Sequence, residues 1–236
     1  MADIEYDEEK ATGYEVGIKT SLADGAAELN LTLFNTTFED LQITTLTGGG
    51  QAVLSNAGES VTRGVEVDGR WAITDNLLVG GSLAYLDAAY DDYKNGPCNA
   101  VQRSAAAGAP CFQDLTDKTT SYAPEWSSHF YMDYRYPVND NINLVFGADI
   151  TYSDQYFYDS DLDPNTLQDS YWKFDARLGI AAMDDRWELS LLGKNLTDEE
   201  IAVWGTDIPL ILGSYVAFTE QPRMIILQAK YRLGAF

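Results

Sequence analysis

The sequence offers little from which to assemble an active site. It has one histidine, His129, and two cysteines, Cys98 and Cys111. It contains no Gly-x-Ser-x-Gly elbow, no Walker loop and no paired-cysteine metal motif. Those absences exclude the common nucleophilic, nucleotide-binding and zinc chemistries. The expectation is a chain that is not an enzyme, with no catalytic residue, no metal site and no cofactor. Positive charge is also scarce, with 15 Lys and Arg against 37 Asp and Glu and a net charge of −22. Phosphate attraction needs a basic surface, so nucleic acid is excluded as a partner. The acidity reads as a solvated surface, or as acidic outer loops that attract cationic or metal-bearing ligands. No apolar run approaches the ~18 residues of a membrane-crossing helix, although strands that show lipid only one face remain open. The opening MADIEYDEEK (1–10) is acidic and lacks the basic and apolar regions of a secretory signal.

What the sequence does have is aromatic residues, 15 Tyr, 9 Phe and 5 Trp, and a period of two along most of its length. In 28–33, Leu29, Leu31 and Leu33 fall on one face and Glu28, Asn30 and Thr32 on the other. In 61–71, Val61, Val65, Val67 and Trp71 oppose Thr62, Glu66, Asp68 and Arg70, with Arg63 the charged exception on the apolar side. Trp126, Phe130, Met132, Tyr134 and Tyr136 oppose Ser127, His129, Asp133 and Arg135. The same holds for Leu144, Phe146, Ile150 and Tyr152 against Asn143, Asp149 and Thr151. Further on, Trp172, Phe174 and Leu178 oppose Lys173, Asp175 and Arg177, and Trp187, Leu189 and Leu191 oppose Glu188, Ser190 and Lys194. Charges of both signs deep inside strands suit a polar lumen. Aromatics near strand ends (Trp71, Tyr134 and Tyr136, Tyr152 with Tyr156, Trp187) suit interfacial girdles. Phe130, Leu144, Trp172 and Leu189 are expected to face lipid, with Leu144 near mid-membrane. Glu66, Asp133, Asp175 and Lys194 are expected to face the lumen.

Short turns at 23–25, 74–76, 138–140 and 183–185 alternate with long links near 42–56, 91–119, 158–169 and 196–220. That asymmetry predicts periplasmic turns and extracellular loops. About nine strands follow, near 13–22, 27–41, 57–73, 77–91, 120–136, 141–157, 170–182, 186–195 and 222–233. The predicted fold is all-β, an antiparallel up-and-down transmembrane β-barrel, partial because a complete bacterial barrel has an even number of strands. Cys98 and Cys111 bracket a short loop and are expected to form a disulfide in an oxidising compartment. His129 falls on the polar face beside Asp133 and reads as a satisfied lumen residue. Gly48, Gly49 and Gly50 read as a flexible outer loop. DSDLDP (159–164) lacks the central Gly and distant Glu of a calcium loop and reads as a solvated extracellular loop.

Several segments carry a resemblance. TGYEVGIKTSLADG (12–25) is similar to a strand and periplasmic turn of TonB-dependent outer-membrane receptors, and FNTTFEDLQI (34–43) to the outward strand after it. NAGESVTRGVEVDGRW (56–71) resembles their Asn-Ala-Gly…Arg-Gly-Val-Glu strand. SYAPEW (121–126) resembles the entry to a later strand. WELSLLGKNLTDEE (187–200) and QPRMIILQAKYR (221–232) resemble the penultimate and last strands. In order, these place residues 1–236 in the C-terminal portion of such a barrel, with the plug domain and the first half of the strands absent. The resemblance implies a Gram-negative outer-membrane location and TonB-energised uptake of a siderophore, vitamin, carbohydrate or similar nutrient, with the segment inactive alone. Implied partners are outer-membrane lipid, the nutrient, the TonB complex through the missing plug, and the barrel-assembly machinery through Phe236. Parity groups Phe236 with Lys230 and Arg232, and a bulge near Gly234 would turn it outward. The sequence leaves the ligand-binding residues unknown; Tyr156, Tyr158 and Trp204 are loop aromatics of a suitable type. Two other readings stay open: a self-contained small outer-membrane barrel with a structural or adhesive role, and a secreted carbohydrate-binding β-sandwich.

Overall fold

Side chains that alternate between apolar and polar along a strand assemble into a sheet with two unlike faces, and the register here keeps those faces pure. The computed structural model describes residues 8–46, 52–56, 58–107, 109, 111–208 and 211–234. Among them, nine strands form one antiparallel sheet in sequence order. They are β1 (Lys10–Leu22), β2 (Ala27–Glu39), β3 (Glu59–Thr74), β4 (Leu77–Asp92), β5 (Trp126–Asn139), β6 (Ile142–Ser153), β7 (Tyr171–Ala182), β8 (Trp187–Lys194) and β9 (Met224–Tyr231). Ile18, Leu31, Val67 and Leu83 lie abreast across β1 to β4. Phe130, Ile150 and Phe174 continue that face across β5 to β7, and Leu191 and Leu227 across β8 and β9. Among the described residues no second layer covers it, and Val16, Leu33, Phe130, Leu178 and Leu227 are all exposed.

The surface area makes the same point. A compact monomer of 26.1 kDa exposes about 10,600 Å2 by the usual size scaling, whereas this chain exposes 14986 Å2. A β-sandwich buries its apolar face against a second sheet, so the sandwich reading is overturned. β1 and β9 are the sheet's two edges and do not pair with each other. Both descend from the long-loop end to the short-turn end, so direct pairing between them would be parallel. The sheet is an open antiparallel wall and not a closed small barrel.

The exposed face is banded. Tyr85 and Trp126 pack at 4.9 Å at the long-loop end, as do Tyr152 and Trp172 at 4.7 Å. Trp71, Tyr134 with Tyr136, and Trp187 beside Tyr231 mark the turn end. From Trp126 to Tyr136 the strand advances about 33 Å at ~3.3 Å per residue. At a tilt of ~40° this gives a height of about 25 Å, matching the apolar band of an outer-membrane barrel. Arg63, the charged exception, is bonded to Asp87 at 2.8 Å, two residue pairs beyond the Val65–Tyr85 level. It therefore lies outside the aromatic belt, where water solvates it. Leu144 pairs with Tyr136 and Ile180, which puts it at the turn-end belt. The mid-membrane depth expected of it belongs to Phe130 and Met132 instead. Tyr156 is not in a girdle: the strand ends at Ser153, and its hydroxyl donates to the Ala202 carbonyl at 3.0 Å.

On the opposite face the charges pair across strands: Arg70 with Glu28 at 2.7 Å, Arg177 with Asp133 at 2.5 Å, Lys194 with Asp175 at 2.7 Å, and Asn30 with Asp68 at 2.9 Å. His129 meets Asp149 at 3.2 Å, not Asp133, because the β5–β6 register sets it opposite Thr151. Most of these groups are half exposed, so water screens the pairs and they add little to stability. Their consequence is a polar wall.

Strand ends differ from expectation where backbone chemistry intervenes. β5 starts at Trp126 and not near residue 120, because Pro124 has no N–H and Tyr122 adopts a φ of 58°. At the first tight turn Ala23, Asp24 and Gly25 take φ of 52°, 53° and 90°. Near the end, Gly234 has a φ of 79°, which interrupts strand alternation there. Phe236 and Gly48–Gly50 lie outside the described residues.

Candidate functional site

The long loops do not stand apart in solvent; they pack into one layer at the outer end of the sheet. The link between β2 and β3 carries a hairpin, Gln42–Leu46 with Ala52–Asn56. The 93–125 link carries helix α1 (Ala100–Ala105), opened by an Asn99/Gln102 capping box. The Cys98–Cys111 disulfide closes this helix into a loop, with Cα atoms 5.8 Å apart. Ile43, Tyr90, Tyr93 and Leu115 form a buried apolar knot, with Leu41 and Leu162 against it. Polar bonds then join loop to loop. Gln113 Nε2 donates to the Asp161 carbonyl at 2.7 Å, Tyr122 N to the Phe157 carbonyl at 2.8 Å, and Ala202 N to Gln168 Oε1 at 2.7 Å.

Three of these links converge on a cleft of about 300 Å3. Arg103 and Tyr122 come from the disulfide-bearing link, Tyr158, Asp159 and Asp161 from the 154–170 link, and Trp204, Gly205 and Asp207 from the last link. The last contributes through a hairpin, Ala202–Asp207 with Tyr215–Thr219. Each wall has a local cause. Arg103 sits in the last turn of α1, donates to the Cys98 carbonyl and forms an ion pair with Asp207. Asp207 is 1% exposed, so its charge is tolerable only because of that guanidinium. The Tyr122 hydroxyl donates to the Tyr158 carbonyl at 2.5 Å and the Tyr158 hydroxyl to the Asn165 carbonyl at 3.1 Å, which fixes both rings. Gly205 lets the Tyr158 ring approach, since a Cβ there would stand 2.5 Å from it.

The carboxylates are unevenly served. Asp163 is 1% exposed and accepts from Asn165 N and Nδ2, both at 2.8 Å. Asp161 is 5% exposed and accepts from Asp163 N at 3.0 Å. Burial, with the neighbouring Asp159 charge, pushes its carboxyl up to about 7. Burial also raises Asp159, against a hydrogen bond from the Thr206 hydroxyl. Tyr158 and Tyr122 are raised by burial and by nearby Asp159. Residues 159–164 are therefore packed and partly desolvated, which corrects the expectation of a solvated loop. Among the described residues no group of His, Cys, Asp or Glu is arranged to hold a metal ion.

Of the three loop aromatics singled out by type, Tyr158 and Trp204 line the cleft, and Tyr156 does not line it but donates to the Ala202 carbonyl of the last link. Arg103, Tyr122, Asp161 and Asp207 were not singled out. The Asn99-x-x-Gln102 spacing was the one legible sign, since it marks a helix start and puts Arg103 on that helix. A second hollow of about 280 Å3 lies on the polar face of the sheet, lined by Glu28, Asp68, Arg70, His129 and Tyr131. Its charged groups are already paired with one another or with Asn30 and Asp149.

A family profile described as TonB dependent receptor-like, beta-barrel matches residues 3–196. The metal-pseudopaline receptor CntO of Pseudomonas aeruginosa is 30% identical over 88 residues, 37% of this chain and 12% of that protein. The fold is similar to the ferric yersiniabactin uptake receptor FyuA of Yersinia pestis, with a TM-score of 0.70 and 19% identity over 94% of this chain and 29% of that one. It is equally similar to the siderophore receptor PiuA of Acinetobacter baumannii, with a TM-score of 0.70 and 21% identity over 93% of this chain and 28% of that one. The chain thus spans less than a third of each of these proteins. The profile stops at residue 196 and so does not reach the resembling segment at 221–232. A profile match over most of the chain, on a banded open wall of antiparallel strands, establishes that the chain belongs to the TonB-dependent receptor β-barrel family of the Gram-negative outer membrane.

Proposed function

We propose that this chain is the C-terminal portion of the barrel wall of a receptor for metal chelates of the siderophore type, and that the outer-loop cleft meets the ligand. The observation that carries the reading is the construction of the cleft. Three separate outer links contribute Tyr122, Tyr158 and Trp204, with Arg103 bridging two of the links through Asp207. Concave sites with apolar walls and a few convergent polar groups are where ligands bind. The metal-pseudopaline, yersiniabactin and siderophore receptors among its relatives favour a metal chelate over a vitamin or sugar. Transport energy would come from the TonB complex through a plug domain that is not part of these residues. The exposed apolar band contacts outer-membrane lipid, and Phe236 would offer the barrel-assembly machinery a terminal aromatic. The role is transport, not catalysis.

The test is uptake. In cells lacking the native receptor, Trp204→Ala and Tyr158→Ala in the complete receptor should each reduce import of radiolabelled iron chelates about tenfold or more. Surface abundance should be unchanged. Wild-type uptake of every chelate by the double variant would refute the assignment of the cleft.

A further inference from the structure

We propose that the cleft receives an organic ammonium group, a protonated amine or quaternary nitrogen carried by the ligand, seated against Tyr122, Tyr158 and Trp204 and facing Asp159 and Asp161. The inference deepens the proposed function and rests on the cleft being the ligand's site.

Three independent features converge on this class. The first is charge. Asp159, Asp161 and Asp207 line one cleft with a single cation, Arg103, and that cation is bonded to Asp207. Among the described residues no Lys, Arg or His forms an ion pair with Asp159 or Asp161; Arg103 attracts the Asp159 charge from across the cleft, and no cation acts on Asp161. Asp161 is 5% exposed and has a backbone N–H as its partner but no counter-charge. A buried carboxylate without a cation is costly, and a positive ligand group removes that cost.

The second feature is the wall. Three aromatic rings border the same space, and aromatic faces attract alkylated cations that hold their water weakly. A hydrated inorganic cation would gain nothing from them, and the carboxylates are not grouped as metal ligands. A neutral sugar could stack on the rings but would leave Asp161 unbalanced. An anionic group would meet like charge.

The third feature is size. About 300 Å3 stands at the low end for ligand pockets. It suits one charged arm of a chelate, with the rest of the ligand lying above the cleft.

The experiment compares two probes of nearly identical shape, choline and its uncharged carbon isostere 3,3-dimethyl-1-butanol, titrated calorimetrically into the complete receptor in detergent. Choline should bind saturably and the isostere at least tenfold more weakly. Asp161→Asn keeps the acceptor for Asp163 N, and Asp159→Asn is its companion. Each should weaken choline about tenfold and leave the isostere unchanged, with heat-modifiable mobility showing that the barrel is intact. Equal binding of the two probes, or choline binding indifferent to both carboxamide variants, would overturn the proposal. Chelate uptake separates this failure from failure of the parent reading. If uptake falls in Trp204→Ala while the probes bind alike, the cleft is the ligand site but not an ammonium site. If choline behaves as expected and uptake is untouched, the ammonium site stands and its role in transport falls.

Discussion

Phe130 and His129 are neighbours in sequence and opposite in environment, which makes them a sharp test of the face assignment. Phe130 is 50% exposed and stands abreast of Gly81 and Ile150, between the Trp126 level and the Tyr136 level. His129 points to the polar side, 3.2 Å from Asp149. An arginine at Phe130 must leave its charge near the middle of the apolar band, at a cost of about 2–4 kcal/mol. At roughly 1.4 kcal/mol per decade, that lowers the folded-to-unfolded ratio about 30- to 700-fold. An arginine at His129 keeps Asp149 as partner and water as solvent, so its effect should lie within about 0.5 kcal/mol. The assay is denaturant titration of the receptor in lipid vesicles, followed by heat-modifiable mobility and tryptophan emission. Phe130→Arg should shift the midpoint strongly and His129→Arg hardly at all. Equal shifts, or a larger one at His129, would refute the two-faced wall.

Three other outcomes follow from the loop layer. Reduction of the Cys98–Cys111 bridge, or Cys98→Ser with Cys111→Ser, releases a loop whose closure contributes about 3 kcal/mol. It should expose residues 99–110 to limited proteolysis, and two alkylatable thiols in unreduced secreted protein would contradict the bond. Gly205→Val drives a side chain into the Tyr158 ring and should cost about 1–3 kcal/mol of loop stability while abolishing ligand protection of the cleft; normal protection would count against the geometry. The Asp161 carboxyl, raised by burial to about 7, favours the packed loops fully below its ordinary value near 3.8 and loses that contribution as pH rises through 7. Amide exchange of the 154–170 link, corrected for intrinsic rates, should therefore be faster at pH 8 than at pH 5 and lose that slope in Asp161→Asn. A slope of opposite sign would refute the cause assigned to the shift.

The wall was legible because a strand's side-chain period is fixed at two, so Leu31, Val67 and Phe130 each declare their apolar face without knowledge of their partners. Depth was less legible. Leu144 shares the apolar parity, but parity carries no depth: β6 runs from Ile142 only to Ser153, after a turn held by Asn139 Oδ1 accepting from Asn141 N and Ile142 N, and Leu144 stands two residues from its start. The start of β5 is hidden because Tyr122 and Trp126 continue the even-numbered aromatic alternation across Pro124, which has no N–H to pair. The cleft was least legible of all. Arg103 and Asp207 are 104 residues apart, and Gln113 reaches Asp161 across 48. No local pattern encodes such pairings. Acidic residues in 159–164 therefore looked solvated, although contacts from other loops bury Asp161 and Asp163.

The central claim, that ligand is met at the outer-loop cleft, is tested most directly by photo-crosslinking in living cells. A photoreactive residue replaces Trp204 in one receptor and Tyr14, which is 75% exposed on the lipid-facing side, in another. The cells are then given the radiolabelled chelate that the receptor imports. The account predicts label at position 204, blocked by excess unlabelled chelate, and none at position 14. Normal uptake with no specific label at position 204, or equal label at both positions, would contradict it.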